Sequence, residues 1–169
     1  YSDQSDPNYT AMGVQRLGRV GYLDTKNNML LFSSDEITAV SLENGDVRWV
    51  YPLRELYPDT KIEALYDGII YFTATDSHPL LVALDSRDSS ELWRYELQGE
   101  FEFGSPIVTR DVIIFGRTDG SVVTALDRKT GKLVWQVDIG HDISFGAYNE
   151  LFCFDDKLVV RDKKIYIFE

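Results

Sequence analysis

This sequence predicts an all-β fold made of repeated four-stranded antiparallel units, and two observations carry that prediction. The first is internal repetition. Ala39–Trp49, Ala83–Trp93 and Ala125–Trp135 line up, and the three tryptophans of the chain fall at one place in each copy, 44 and 42 residues apart (93 − 49 and 135 − 93). The second is local. The apolar runs are short, rich in Val, Ile, Tyr and Phe, and bounded by turn residues, which is the composition of strands. A unit of four short strands cannot bury both of its faces alone. Packed face to face with its neighbours it can, which is the logic of a β-propeller.

The elements follow in order. Residues 1–16 form an N-terminal tail, polar from Tyr1 to Pro7. The next repeat starts 13 residues after an outer-strand Trp, at Ile62 after Trp49 and at Pro106 after Trp93. The matching start in the first repeat is near Gly21, so counting back reaches Asn8-Tyr9-Thr10, with Tyr9 near the Trp place. Residues 8–15 are therefore either a closing strand that completes the last repeat or part of a polar tail. The repeats themselves occupy 17–169, with units at about 17–53, 61–97, 101–139 and 143–169. Ahead of each Ala-to-Trp segment lies a strand-like run, Met29–Phe32, Ile69–Phe72 and Val112–Phe115. Asn44-Gly45, Asp67-Gly68, Asp119-Gly120 and Thr130-Gly131 are turn signals, since Gly and Asn tolerate positive φ. Arg54-Glu55-Leu56 has room for one helical turn before Pro58, and no longer stretch has a helical period with caps at both ends. The fourth copy reads Lys157–Val160 and Lys164–Phe168 and has no Trp. Three arrangements satisfy this count: a four-bladed ring, a homodimer forming an eight-bladed ring about a two-fold axis, and a piece of a longer propeller.

Composition narrows the function classes. The chain has 169 residues, 28 acidic against 17 basic, for a net charge of −11. Nucleic-acid binding needs clustered Lys and Arg, so no nucleic-acid partner is expected. No apolar run approaches the roughly 20 residues of a helical membrane span, and no membrane insertion is expected. The first residues show no charged region followed by an apolar core, so no signal peptide is read there. The one cysteine, Cys153, excludes an internal disulfide framework and a cysteine zinc cluster.

The run Ala125-Leu126-Asp127-Arg128-Lys129-Thr130-Gly131-Lys132-Leu133-Val134-Trp135, on a period near 42, resembles the quinoprotein-type (PQQ-like) β-propeller repeat. The second copy has Ser89-Ser90 in place of the turn Gly. The first has Ser41-Leu42-Glu43 where Ala-Leu-Asp is usual, and keeps Gly45. The resemblance covers roughly residues 17 to 169. It implies that Trp49, Trp93 and Trp135 dock one blade on the next and that Gly45 and Gly131 shape the turn feeding the Trp strand. It also implies an extracytoplasmic setting, since such repeats occur in outer-membrane assembly lipoproteins, sensory ectodomains and lumenal stress sensors.

A quinone-dependent dehydrogenase, with its cofactor over a Trp and a Ca²⁺ beside it, is the sharpest enzyme reading the resemblance offers. The chain lacks the adjacent cysteine pair frequent in the alcohol-oxidising branch. Asp24, Asn27 and Asn28 carry oxygen but sit between two strands, where Asp and Asn are ordinary turn formers. His78, in Thr75–Pro79, and His141, after Gly140, read as loop residues, and Cys153, in Leu151–Phe154, as a small buried hydrophobe. The expectation is therefore a non-enzymatic protein-binding scaffold or sensor module, with no catalytic residue, cofactor or metal. Its partner would meet Tyr51, Arg54 and Tyr57 in the first linking loop and Phe101 and Phe103 in the second, because blade-linking loops gather at propeller faces and aromatics and Arg anchor interfaces. A degenerate quinoprotein domain binding PQQ and Ca²⁺ is the alternative. A purely structural part of a larger assembly is the third reading.

Overall fold

The computed structural model describes residues 15–17, 21–33, 35–56, 59–75, 79–97, 106–116, 122–138, 150–154, 157–161 and 165–168. The first sheet is a five-stranded antiparallel meander of β1 (Gln15–Leu17), β2 (Gly21–Asp24), β3 (Met29–Ser33), β4 (Ile37–Ser41) and β5 (Val47–Tyr51). One helical turn, α1 (Leu53–Leu56), follows. The second sheet runs β6 (Asp59–Tyr66), β7 (Ile69–Thr75), β8 (Pro79–Asp85), β9 (Glu91–Glu96), each beside its predecessor. The third has β10 (Ile107–Val108), β11 (Val112–Gly116), β12 (Val122–Asp127) and β13 (Leu133–Asp138), and the fourth β14 (Glu150–Phe154), β15 (Lys157–Arg161) and β16 (Ile165–Phe168). Gln15–Leu17 pairs with Gly21–Leu23, so these three residues belong to the first sheet. Residues 8–14, where a closing strand was one of two readings, lie outside the described residues. The chain divides into two compact units, Tyr1–Ala74 with Val82–Leu92 and Thr75–Leu81 with Trp93–Glu169.

Burial follows position in the sheet. The apolar run Pro79 to Leu84 of β8, and Asp85 after it, are buried at every position, as in a strand covered on both faces. In the first unit β4 alternates, with Ile37, Ala39 and Ser41 buried and Thr38 and Val40 half-buried. In the second unit Ile113 to Phe115 and Val123 to Leu126 are buried. The last strands face water more: Val47 and Val50 on β5, and Leu133, Val134 and Val137 on β13, are exposed.

The repeat recurs as a hydrogen-bonding pattern. The N–H groups of Ser41, Asp85 and Asp127 donate to the carbonyls of Asp46, Ser90 and Lys132. The carbonyls of the same three residues accept from Gly45, Ser89 and Gly131. One residue on, Leu42, Ser86 and Arg128 donate to the carbonyls of Asn28, Gly68 and Asp111, which ties each turn back to an earlier turn of its own sheet. This pattern puts Ser41, and not Glu43, at the place of Asp85 and Asp127. The Ser41 hydroxyl accepts from the Glu43 N–H at 3.3 Å, doing what the Asp carboxylates do for the N–H of Arg87 and Lys129. Gly45, Ser89 and Gly131 all have positive φ, 78°, 60° and 67°. The serine of the second copy thus adopts the glycine conformation. Asp67 and Gly68, also at positive φ, close the two-residue hairpin between β6 and β7.

Ala and Trp recur together for a steric reason. Ala39 lies opposite Trp49 across β4 and β5, and Ala125 opposite Trp135 across β12 and β13, with a bulge just after the alanine in both. A small residue there leaves room for an indole on the neighbouring strand.

Gly45 and Gly131 separate backbone strain from crowding. A Cβ on Gly45 would meet nothing within 4 Å, whereas one on Gly131 would fall 2.6 Å from the Trp93 ring. Gly45→Ala is expected to cost about 1–2 kcal/mol, the penalty of a side chain at positive φ. Gly131→Ala is expected to cost about 1–3 kcal/mol more, for displacing the ring. Urea unfolding midpoints of the two variants measure both. Equal losses would show that Trp93 does not need the glycine.

Candidate functional site: the junctions between sheets

Among the described residues Trp49 and Trp93 make the same bond. The Trp49 indole N–H donates to the Ser86 carbonyl at 2.9 Å, and the Trp93 indole N–H donates to the Arg128 carbonyl at 3.0 Å. Each acceptor is the residue just after the Asp of the following repeat, in the turn described above. The turn aims a carbonyl outward, the indole of the preceding sheet takes it, and the ring lies against the turn. Trp93 is buried and packs over Gly131; Trp49 is half-buried. Trp135 is half-buried opposite Ala125, and its neighbour Gln136 donates to the Thr124 hydroxyl at 3.1 Å.

The first junction adds a buried polar cluster. Asp24, at the end of β2, is buried, and its carboxylate accepts from the N–H of Lys26 and Asn27, from the Asn27 amide and from the Ser86 hydroxyl. The Asn27 amide also donates to the Ser86 Oγ at 2.8 Å. Lys26 reaches Asp67 through both its carbonyl, at 2.9 Å, and its carboxylate, at 2.6 Å. Gly68 is held close here: a Cβ on it would sit 2.8 Å from the Asn27 amide nitrogen. The β2–β3 turn thus clamps the second sheet at the residue whose carbonyl Trp49 holds. The Tyr22 hydroxyl donates across the same pair of sheets to the Ile62 carbonyl at 3.1 Å. Sequence reasoning noted Asp24 and Asn27 as turn formers and missed their long-range partner Ser86. The sequence carries no local signal of a contact 62 residues away.

The turn carboxylates are tuned by their neighbours. Hydrogen bonding from the Arg87 side chain holds the Asp85 carboxyl below the usual carboxylate range. At Asp127 the Thr130 hydroxyl, at 2.7 Å, and the Thr130 N–H, at 2.8 Å, do the same. Asp88 is lowered by Ser90. Beside the first junction lies a cleft of about 320 Å³, lined by Asn27, Asn28, Ser41, Glu43, Arg48 and Arg87 among others.

The remaining residues singled out from sequence do not gather at one place among the described residues. Tyr51 is half-buried, its ring 6.2 Å from that of Phe72 and tilted by 54°. Arg54 lies on α1, with its side chain outside the described residues, as are Tyr57, Phe101, Phe103, His78 and His141. Cys153 lies on β14 and pairs with Leu158.

The family model described as outer membrane protein assembly factor BamB matches residues 58–164, well over half of the chain. The chain belongs to the PQQ-like repeat family. Its fold is all-β, of the β-propeller class. The chain is 34% identical over 102 residues to a 1-butanol dehydrogenase (quinone) of Thauera butanivorans, covering 55% of this chain and 16% of that protein. It is 28% identical over 139 residues to the quinohemoprotein alcohol dehydrogenase of Comamonas testosteroni, covering 76% of this chain and 18% of that protein. The chain therefore spans less than a fifth of the length of these relatives. BamB from Moraxella catarrhalis superposes with a TM-score of 0.52 at 20% identity, over 91% of this chain and 45% of that one.

The indoles of Trp49 and Trp93 are committed to backbone carbonyls. Among the described residues no three His, Cys, Asp or Glu side chains come together to hold a metal.

Two measurements test the junctions. Trp93→Phe keeps an aromatic ring but removes the donor, and is expected to cost about 1–3 kcal/mol, the penalty of stripping a buried carbonyl of its partner; Trp49→Phe, at the less buried dock, is expected to cost less. Urea unfolding of both variants checks the order. The second measurement is pH dependence. The folded values of Asp85 and Asp127 lie below the ordinary 3.8. Their stabilisation is therefore complete above that pH and is lost as pH falls through it toward the folded values. Asp127→Asn should lower the urea midpoint at pH 6 and flatten its decline as the pH falls below about 4.

Proposed function

We propose that the chain is a frame segment of a quinoprotein-type propeller: consecutive blades, docked by indole–carbonyl bonds, that give the whole protein a rigid ring. The observation that carries this is the recurrence of the same dock at Trp49 and Trp93 with the same turn beneath it. In the whole protein the ring holds a small ligand of the quinone class, a reading supported by the relatives named as quinone-dependent alcohol dehydrogenases. Those names weigh against the expectation that the protein takes no part in catalysis. The blades described contribute the frame.

A partner-binding scaffold is the second reading. It is favoured by the family description, which names an outer-membrane assembly factor. On this reading the setting is extracytoplasmic, and Tyr51, Arg54, Tyr57, Phe101 and Phe103 meet the partner. Thermal unfolding of the full-length protein with added PQQ and Ca²⁺ separates the two. A ligand present at 100 times its Kd stabilises the native state by about 2.7 kcal/mol, so a saturable rise in Tm is expected. No rise at saturating quinone overturns the ligand reading in favour of the scaffold.

A further inference from the structure

An aromatic pair that recurs at the first two junctions is replaced at the third. We propose that the third junction is the place where this frame opens, with the fourth sheet parting from the third as a body. The inference rests on neither the quinone reading nor the scaffold reading, because it concerns only the packing of neighbouring repeats.

Each of the first two junctions carries a pair of rings. Tyr51 of β5 lies 6.2 Å from Phe72 of β7, with the ring planes at 54°. Tyr95 of β9 lies 5.8 Å from Phe115 of β11, at 57°. The places are the same in both. Each tyrosine comes two residues after the docking tryptophan, and each phenylalanine is the fourth residue of the second strand in the next sheet. At the third junction the residue two after Trp135 is Val137, and the fourth residue of β15 is Val160. The register agrees. Phe115 pairs with Thr124, three residues before Asp127, and Val160 pairs with Tyr166, three residues before Glu169. Both members of the pair are therefore aliphatic here, and no ring contact forms between these two places.

The replacement weakens the interface. Two valines present less apolar surface than a tyrosine and a phenylalanine, and a tilted ring pair adds attraction beyond the area it buries. A smaller pair offsets this loss only where the sheets close up on it. Val137 is 37% exposed, whereas Tyr51 and Tyr95 are half-buried, so it is not covered in that way. Trp135 follows the same trend: it is half-buried, while Trp93 is buried. The third and fourth sheets do meet, at β10 and β14. What changes is how strongly they are held. The stability of a repeat array is close to a sum of repeat terms and nearest-neighbour interface terms, so the array parts first where an interface buries least.

Native-state hydrogen exchange on the full-length protein tests this, with protection factors compared strand by strand. In the wild type the amides of β15, the central strand of the fourth sheet as described, are expected to be protected about tenfold or more below those of β11 and β12. They are expected to open together with those of β14 and β16. Val137→Tyr combined with Val160→Phe is expected to raise protection across β14 to β16 by about tenfold, the worth of an aromatic pair with its added area. Protection of β11 and β12 should stay as it was. Each single variant is expected to gain little, because either ring alone has no partner ring. Wild-type protection of β15 equal to that of β11 and β12 overturns the proposal, and this comparison needs no variant to fold. A double variant that gains no more than the sum of the two singles overturns it as well. No quinone or partner is added, so the outcome is distinct from that of the quinone experiment.

Discussion

The bond from an indole N–H to a turn carbonyl is the interaction on which the rest of the arrangement depends. A carbonyl can be offered to a neighbouring sheet only if its own strand does not use it. The turn after β4, β8 and β12 meets that condition by satisfying itself, with N–H groups and carbonyls of Ser41, Asp85 and Asp127 paired inside the loop. Closing the loop in this way requires one residue at positive φ, and Gly45, Ser89 and Gly131 supply it. At Gly131 the same residue must also lack a side chain, because the Trp93 ring occupies that space. Each part of the repeat is thus a condition on another. The alanine admits the indole beside it, the acid or serine shapes the turn, and the turn presents the carbonyl.

Polar groups support the docks as well as apolar ones. Asp24 is a buried carboxylate, a costly group to take out of water unless every lone pair is used. Four donors, two of them backbone N–H groups of its own turn, meet that demand. One donor is the hydroxyl of Ser86, so the satisfaction of the carboxylate depends on the second sheet being docked. A cluster of this kind specifies geometry more than it adds stability, since a shifted sheet leaves a buried charge short of a partner. The second junction is built differently at the equivalent acceptor. Arg128 is buried there, and its Nε donates to the Arg110 carbonyl at 3.0 Å within the same sheet.

Much of this was legible in the sequence. The all-β class and the four-stranded repeat were readable, because strand period and turn chemistry are local properties. The positive φ at Gly45 and Gly131 was also readable. Its occurrence at Ser89 was not, because a serine carries no conformational signal and only the frame on either side imposes the angle. The partners of the tryptophans were out of reach for another reason. A contact between Trp49 and Ser86 is set by how two sheets meet, and no residue in either segment announces it. Asp24 and Asn27 stood out as oxygen-bearing residues close in sequence, and locally they do form a turn. Their second role, through Ser86, is visible only in three dimensions.

A repeat protein carries its own comparison within one chain, and this separates frame from function. Positions that keep one residue type through the copies, such as the alanine and the tryptophan, answer to the packing common to every junction. Positions that differ are free of that demand. The residue before the tryptophan is Arg, Leu and Val in turn, and the third residue of the turn is Glu43, Arg87 and Lys129. Exposed valine or leucine at the first of these places is tolerated, as Leu92 and Val134 show. An arginine there therefore owes nothing to the fold. Arg48 and Glu43 lie in one repeat and Arg87 in the next, so only a junction between unlike copies brings these charges to one cleft. Identical blades would repeat a single site at every junction, whereas divergence of a few frame-neutral positions makes one junction chemically distinct and leaves the dock beneath it unchanged.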